Sequence, residues 1–188
     1  AGPSLSGLAY CVGSIRLKPL AKLGAAEIVD DAGRRTLGAA LALQACAPKL
    51  KAANRDMKVL IIGAGMSGLL AALRLAQAGI DVEIIEKNAD VGGTWLDNVY
   101  PGCRVDNPSH MYSYSFEDNH VWPYLFSTQP VLLEYFRSVA KRHDLKKHIR
   151  FGTEVLDTRY DEAGATWVTR IKNKDGREET LRTNAVIS

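Results

Sequence analysis

Three glycines and one glutamate are the residues whose type and spacing could do chemistry. The glycines lie in the run Gly63-Ala64-Gly65-Met66-Ser67-Gly68, and Glu86 follows 18 residues after the last of them. Gly63 permits a tight turn. Gly65 lets main chain come close to a diphosphate where a Cβ would intrude, and Gly68 lets a helix pack tightly on the sheet. A helix starting there offers unpaired N–H groups and a partial positive charge to the phosphates. A carboxylate at Glu86 can accept hydrogen bonds from ribose hydroxyls and would repel a 2′-phosphate. Ser67 and Lys87 fall beside these groups and join the candidate set. Glycines are common and Glu86 could be an exposed strand-end acid, so the context has to decide.

The elements around the motif supply that context. Lys58 to Ile62 is a short, β-branched run suited to a buried parallel strand, and the glycine turn follows at once. LLAALRLAQAG then reads as a helix with Leu69, Leu73 and Ala76 on one face and Gly79 as its stop. Ile80 to Ile85 is the next strand, with Glu86 at its end. The order strand, glycine turn, helix, strand, acid is a βαβ unit for an adenine dinucleotide. It does not choose between FAD and NAD.

Further on, residues 88–119 are rich in Gly, Pro, Asn and aromatics, and a loop of that length is usually functional or disordered. Gly92 and Gly93 again permit close approach, and Trp95 and the tyrosines could wall a flat ring. Arg104 and Asp106 are charges in an aromatic setting, costly there if buried unpaired. Asp106 could also simply cap a turn before Asn107-Pro108. A helix is predicted from Gln129 with Pro130 in its first turn and Leu133, Phe136 and Ala140 on one face. IRFGTEVLDTRY, ATWVTRIKNK and EETLRTNAVIS read as three strands, the last two joined at Lys174-Asp175-Gly176.

KVLIIGAGMSGLLAALRLAQAG, EKNADVGGTW and YPGCRVDNPSHMYSYSF together resemble the class B flavin monooxygenases. The likeness is greatest to Baeyer–Villiger monooxygenases of the 4-hydroxyacetophenone type, and it covers Met57 to Ser188, about 70% of the chain. It implies an α/β fold: a Rossmann-like FAD-binding (GR2-type) parallel sheet with a small β-meander, incomplete, over residues 56–188. By position it implies Gly63, Gly65, Met66, Ser67 and Gly68 on the FAD diphosphate, with Glu86 and Lys87 at the ribose. Gly93, Thr94 and Trp95 would lie along the flavin, and Tyr112 close to it. Val155 would make a main-chain contact to adenine. Arg104 and Val105 would lie where NADPH approaches, and Asp106 would be the catalytic acid beside the flavin. Leu96-Asp97 departs from the larger pair common after G-G-T-W, which puts details of the pocket wall in doubt.

The implied reaction is NADPH- and O2-dependent oxidation of a ketone to an ester or lactone through a C4a-peroxyflavin. The family's second glycine motif, its F-x-G-x-x-x-H-x-x-x-W fingerprint and its active-site arginine are not in the sequence. The reading is therefore of a truncated FAD domain that alone oxidises no ketone, with NADPH bound by a missing domain. An N- or S-oxidising flavin monooxygenase, another FAD-dependent oxidoreductase and a non-catalytic nucleotide-binding module are the alternatives. A disulfide reductase is disfavoured by the absence of a C-x-x-x-x-C pair.

Composition narrows the partners. With 46% hydrophobic residues and 24% charged, the chain can bury a core, and a net charge of +3 with mixed signs argues against nucleic acid. Cys11, Cys46 and Cys103 are far apart and odd in number, and the four histidines lack ligand spacing, so neither a disulfide framework nor a metal site is expected. No run approaches a membrane span and no basic segment precedes an apolar one at the start, so a cytoplasmic enzyme with a small-molecule ketone and O2 as partners is expected. Residues 1–55 are rich in Ala, Leu and Lys. They read as a helical N-terminal extension, with a helix from near Arg34 broken at Pro48.

Overall fold

The computed structural model describes residues 57–117 and 119–188, together with the main chain of residues 8–10. The expected helix from Arg34, and with it Cys11 and Cys46, lies outside these residues. Leu8–Tyr10 is an edge strand, β1, so the helical reading of residues 1–55 does not hold at that point.

Lys58–Ile62 forms β2, Met66–Gln77 forms α1 and Asp81–Ile85 forms β3, as the periodicity predicts. The strands run parallel, with Lys58 opposite Asp81 and Ile62 opposite Ile85. Among its described residues the long turn-rich segment holds a single short helix, α2 (Thr94–Asp97). Helix α3 spans Gln129–Arg142 with proline in its first turn.

Two expected strands are each divided. IRFGTEVLDTRY splits into β4 (Ile149–Arg150) and β5 (Thr153–Asp161) around Gly152, whose φ of +60° a side chain rarely adopts. Likewise, EETLRTNAVIS splits at Asn184 into β7 (Glu178–Thr183) and β8 (Ala185–Ile187). Between the two lies β6 (Thr166–Asn173). The reason is common to both breaks: the chain crosses from one sheet to another. Strands β1-β8-β2-β3-β4 form a parallel sheet and β5-β6-β7 an antiparallel one. Asn184 makes its crossing by pairing with Lys58 twice, its N–H donating to the Lys58 carbonyl and its Oδ1 accepting from the Lys58 N–H, both at 2.9 Å.

The strand period of two divides the core. Val59, Ile61, Val82 and Ile84 face α1, α3 and the aromatic loop. Leu60, Ile85 and Val186 face the antiparallel sheet, where they meet Ile171. Because both faces of β2 are covered, its run from Val59 to Ile62 is apolar rather than alternating. Helix α1 buries more than the expected single face: Leu70, Ala71, Ala72 and Leu75 are buried besides Leu69 and Leu73. Among the described residues no helix is long and apolar enough to cross a membrane, and no cluster of three or more possible metal ligands occurs.

Glu83 on β3 meets Lys58 at 2.5 Å and Arg150 at 2.5 Å. Burial pushes its carboxyl pKa up, but hydrogen bonds and charge from Lys58 and Arg150 outweigh this and hold it below the usual value. A carboxyl depressed in the folded state stabilises above its unfolded pKa and loses that contribution as pH falls through the folded one. Stability is expected to drop as pH falls below about 4.3. In Glu83→Gln the part of this slope due to Glu83 should vanish, which denaturant midpoints between neutral pH and pH 3 will check.

Candidate functional site

The main chain leaves β2 at Gly63, whose φ is +93° and whose N–H donates to the Ile85 carbonyl at 2.8 Å. This ties the turn to the end of β3. Gly68 sits so close to the same turn that an added Cβ would lie 2.0 Å from the Gly63 carbonyl oxygen. The expected roles of tight turn and close helix packing are both met.

Gly65 is different. It is the N-cap of α1 at φ −79° and ψ −172°, a conformation open to any residue. A Cβ there would meet only the Gly93 Cα, at an ordinary 3.6 Å. Neither conformation nor packing requires glycine at this position. Helix α1 has no side-chain cap and no acidic residue in its first turn, so its first N–H groups face outward without a protein anion. An uncapped, positively polarised helix start beside two glycines is a cradle that a Cβ would fill and that a diphosphate fits.

Glu86 is only 4% exposed, so it is not a surface strand-end acid. Its Oε2 accepts from the Ala64 N–H at 2.6 Å and its Oε1 from the Asn88 N–H at 2.8 Å. The carboxylate therefore faces the glycine turn, and each oxygen retains a second lone-pair direction for a hydroxyl donor. Its main chain joins the two sheets: its N–H donates to the Arg150 carbonyl, and its own carbonyl accepts from the Thr153 N–H, both at 3.0 Å. Lys87 is exposed alongside, and Val155 lies two residues beyond Thr153, packed beside the second core.

The second glycine pair closes on the first. The Gly92 N–H donates to the Ala64 carbonyl at 3.1 Å, and Gly93, at φ +54°, leaves room for only 3.0 Å between an added Cβ and the Gly65 Cα. Helix α2 then carries exposed Thr94 and buried Trp95. The Trp95 indole N–H donates to the Tyr112 hydroxyl at 3.2 Å, and the two rings meet edge to face. Val105 is buried and its N–H donates to the Ser127 carbonyl.

Arg104 and Asp106 lie at the surface. Both are exposed, and among the described residues neither side chain forms an ion pair or hydrogen bond. The cost of burying unpaired charge therefore does not arise; Arg104 pairs its main chain with Thr128, while the neighbouring Cys103 and Val105 are buried.

The loop is held by residues whose partners the sequence does not give, although Tyr114 is among its expected packing aromatics. The Gln129 main-chain N–H donates to the Cys103 carbonyl at 2.8 Å, and its side-chain amide donates to the Trp95 carbonyl. Ser109 and Ser127, both fully buried, share a hydrogen bond of 2.8 Å. Tyr114 reaches the first turn of α1. Nothing in their spacing marks these residues; only Gln129 lies at a recognisable position, the start of a helix.

Comparison with known proteins agrees with this geometry. The NAD(P)-binding Rossmann-like domain family matches residues 61–127. An uncharacterized monooxygenase of Sinorhizobium fredii, y4iD, is 48% identical over 134 residues, covering 71% of this chain and 20% of that protein. A Baeyer-Villiger monooxygenase of Streptomyces coelicolor is 45% identical over 115 residues, covering 61% of this chain and 22% of that protein. The crystal structure of OTEMO in complex with FAD and NADP matches with a TM-score of 0.65 at 36% identity, covering 69% of this chain and 24% of that one. The chain thus spans about a fifth to a quarter of the length of the proteins it matches.

Proposed function

We propose that the chain forms the FAD-binding part of an NADPH- and O2-dependent flavin monooxygenase of the Baeyer–Villiger type, oxidising ketones to esters or lactones, and its similarity to proteins named as such monooxygenases supports this reading. When bound, FAD supplies the redox chemistry that activates O2. The protein's share is binding, orientation and electrostatics.

In this reading the N–H groups of Met66, Ser67 and Gly68 hold the diphosphate, with Gly63 and Gly65 shaping the approach. Glu86 takes the ribose hydroxyls on its free lone pairs, with Lys87 beside it. Gly93, Thr94, Trp95 and Tyr112 line the flavin side, and the Val155 main chain meets adenine. Exposed Asp106 orients a cationic partner and shapes the field at the reacting edge, while Arg104 and Val105 border the nicotinamide cofactor. The names of relatives called Baeyer–Villiger monooxygenases support ketones rather than amines or sulfides in this reading.

One observation carries the reading: Gly65 is a glycine that the fold does not need. Gly65→Ala is expected to leave the melting temperature within a few degrees and to reduce FAD affinity by about a hundredfold or more, because the new methyl takes space meant for phosphate. Fluorescence titration with FAD, beside thermal unfolding, checks both. An alanine variant that binds FAD as well as the unaltered chain would overturn the reading.

A further inference from the structure

Tyr114 is 4% exposed and bonded at both ends. Its hydroxyl donates to the Met66 carbonyl at 2.6 Å, and its main-chain N–H donates to the Tyr135 hydroxyl at 2.9 Å. Its ring stacks on Phe116 with centroids 5.0 Å apart and meets the edge of Phe136 at 5.9 Å. These contacts leave the hydroxyl one place to go. Burial, with lesser contributions from Tyr135 and Tyr112, pushes the phenol pKa well up, so the group remains a donor across the neutral range.

Met66 is the first residue of α1, directly after the glycine that caps it. A trans peptide is planar, with its C=O and N–H pointing in opposite directions. Holding the Met66 oxygen therefore holds the Ser67 N–H on the other side of the same plane. That N–H is one of the outward-facing donors of the first turn. Hydrogen bonding at the oxygen also polarises the amide and strengthens its N–H as a donor, by about 10–30%.

We propose that Tyr114 is a positioning residue of the dinucleotide site: it aims and polarises the Ser67 N–H through the Met66–Ser67 peptide, and its ligand is the diphosphate of a nucleotide. The proposal rests on the FAD reading above. It also gives the aromatic loop a direct line to the cradle, since Tyr112, two residues away, carries the Trp95 bond.

The test compares Tyr114→Phe with Tyr135→Phe in the full 188-residue chain. Tyr114→Phe keeps the ring and its packing and removes the bond to Met66. It is expected to weaken FAD and ADP about five- to tenfold, the scale of one lost hydrogen bond, while adenosine binding is unchanged. The Ser67 amide proton should shift upfield in an NMR spectrum of the nucleotide-free protein. Tyr135→Phe removes the acceptor at the other end of Tyr114; it should lower the melting temperature but leave the Ser67 resonance and the ADP-to-adenosine ratio alone. Should Tyr114→Phe not fold, fluorination of the Tyr114 ring, which makes the hydroxyl a stronger donor, is expected to move the Ser67 resonance downfield. The inference is overturned if the Ser67 resonance ignores these changes, or if both variants lose FAD in step with stability. Failure of the unaltered chain to bind FAD would sink the functional reading instead, and the Ser67 resonance would still decide the role of Tyr114.

Discussion

Gly68→Ala is expected to destabilise the folded chain by about 3 kcal/mol or more and to abolish FAD uptake. Two effects oppose each other. Alanine is the better helix former by roughly 1 kcal/mol, and position 68 lies inside α1. Against that, the new Cβ would sit 2.0 Å from the Gly63 carbonyl oxygen and 3.1 Å from its carbon, atoms of a turn that is itself pinned to β3. A flexible side chain could swing away at little cost; main chain cannot. Overpacking of this kind typically costs 1–3 kcal/mol even where neighbours yield. The clash therefore outweighs the propensity gain, and the relief available, lifting α1 from β2, dismantles the turn. Urea denaturation compared with Gly65→Ala is the decisive measurement. The two glycines are three residues apart, and the expected results are opposite: position 65 loses the ligand and keeps the fold, whereas position 68 loses both. Equal midpoints for Gly68→Ala and the unaltered chain would refute the packing argument.

Glu86→Ala is expected to cost about 3 kcal/mol of stability without any nucleotide present, besides weakening FAD by about a hundredfold. The carboxylate satisfies two main-chain N–H groups, those of Ala64 and Asn88, at a site 4% exposed. Removing it leaves both donors without a partner, at roughly 1–3 kcal/mol each, offset where water enters the space. Glu86→Gln is not a mild substitution here. An amide has one accepting atom, so one of the two N–H groups would face an NH2, and a loss of about 2 kcal/mol is expected from that donor pair alone. Calorimetry on the nucleotide-free variants checks the stability terms, and FAD titration checks the ribose contact. If Glu86→Gln melted with the unaltered protein, the carboxylate would be a ligand group only and not part of the fold.

The site's local chemistry was legible in the sequence where one short segment contains its own explanation. The Gly63 turn, the tight seat of Gly68, Glu86 at the end of β3 and the proline-started α3 all follow from residues adjacent in the chain. What could not be read depends on pairing between distant segments. The splitting of IRFGTEVLDTRY and EETLRTNAVIS reflects a change of sheet, and a run of β-formers has the same composition on either side of such a crossing. Tyr114, Gln129 and the Ser109–Ser127 pair act by reaching groups 18 to 48 residues away. Arg104 and Asp106 were set in an aromatic neighbourhood by sequence; their exposure, and the Arg104–Thr128 pairing beside it, depend on distant segments that no local pattern encodes.

The crossing at Asn184 also governs how this protein must be made. Its partner on β2 lies 126 residues earlier, so the central strand waits for its second neighbour until those residues have been translated. At roughly 5–20 residues per second, that wait is on the order of ten seconds on the ribosome. Throughout it, Val59, Leu60 and Ile61 present an apolar, unpaired flank to solvent or to whatever chaperone shields it. Yield in the cell should therefore be limited by this interval of synthesis rather than by the stability of the finished sheet.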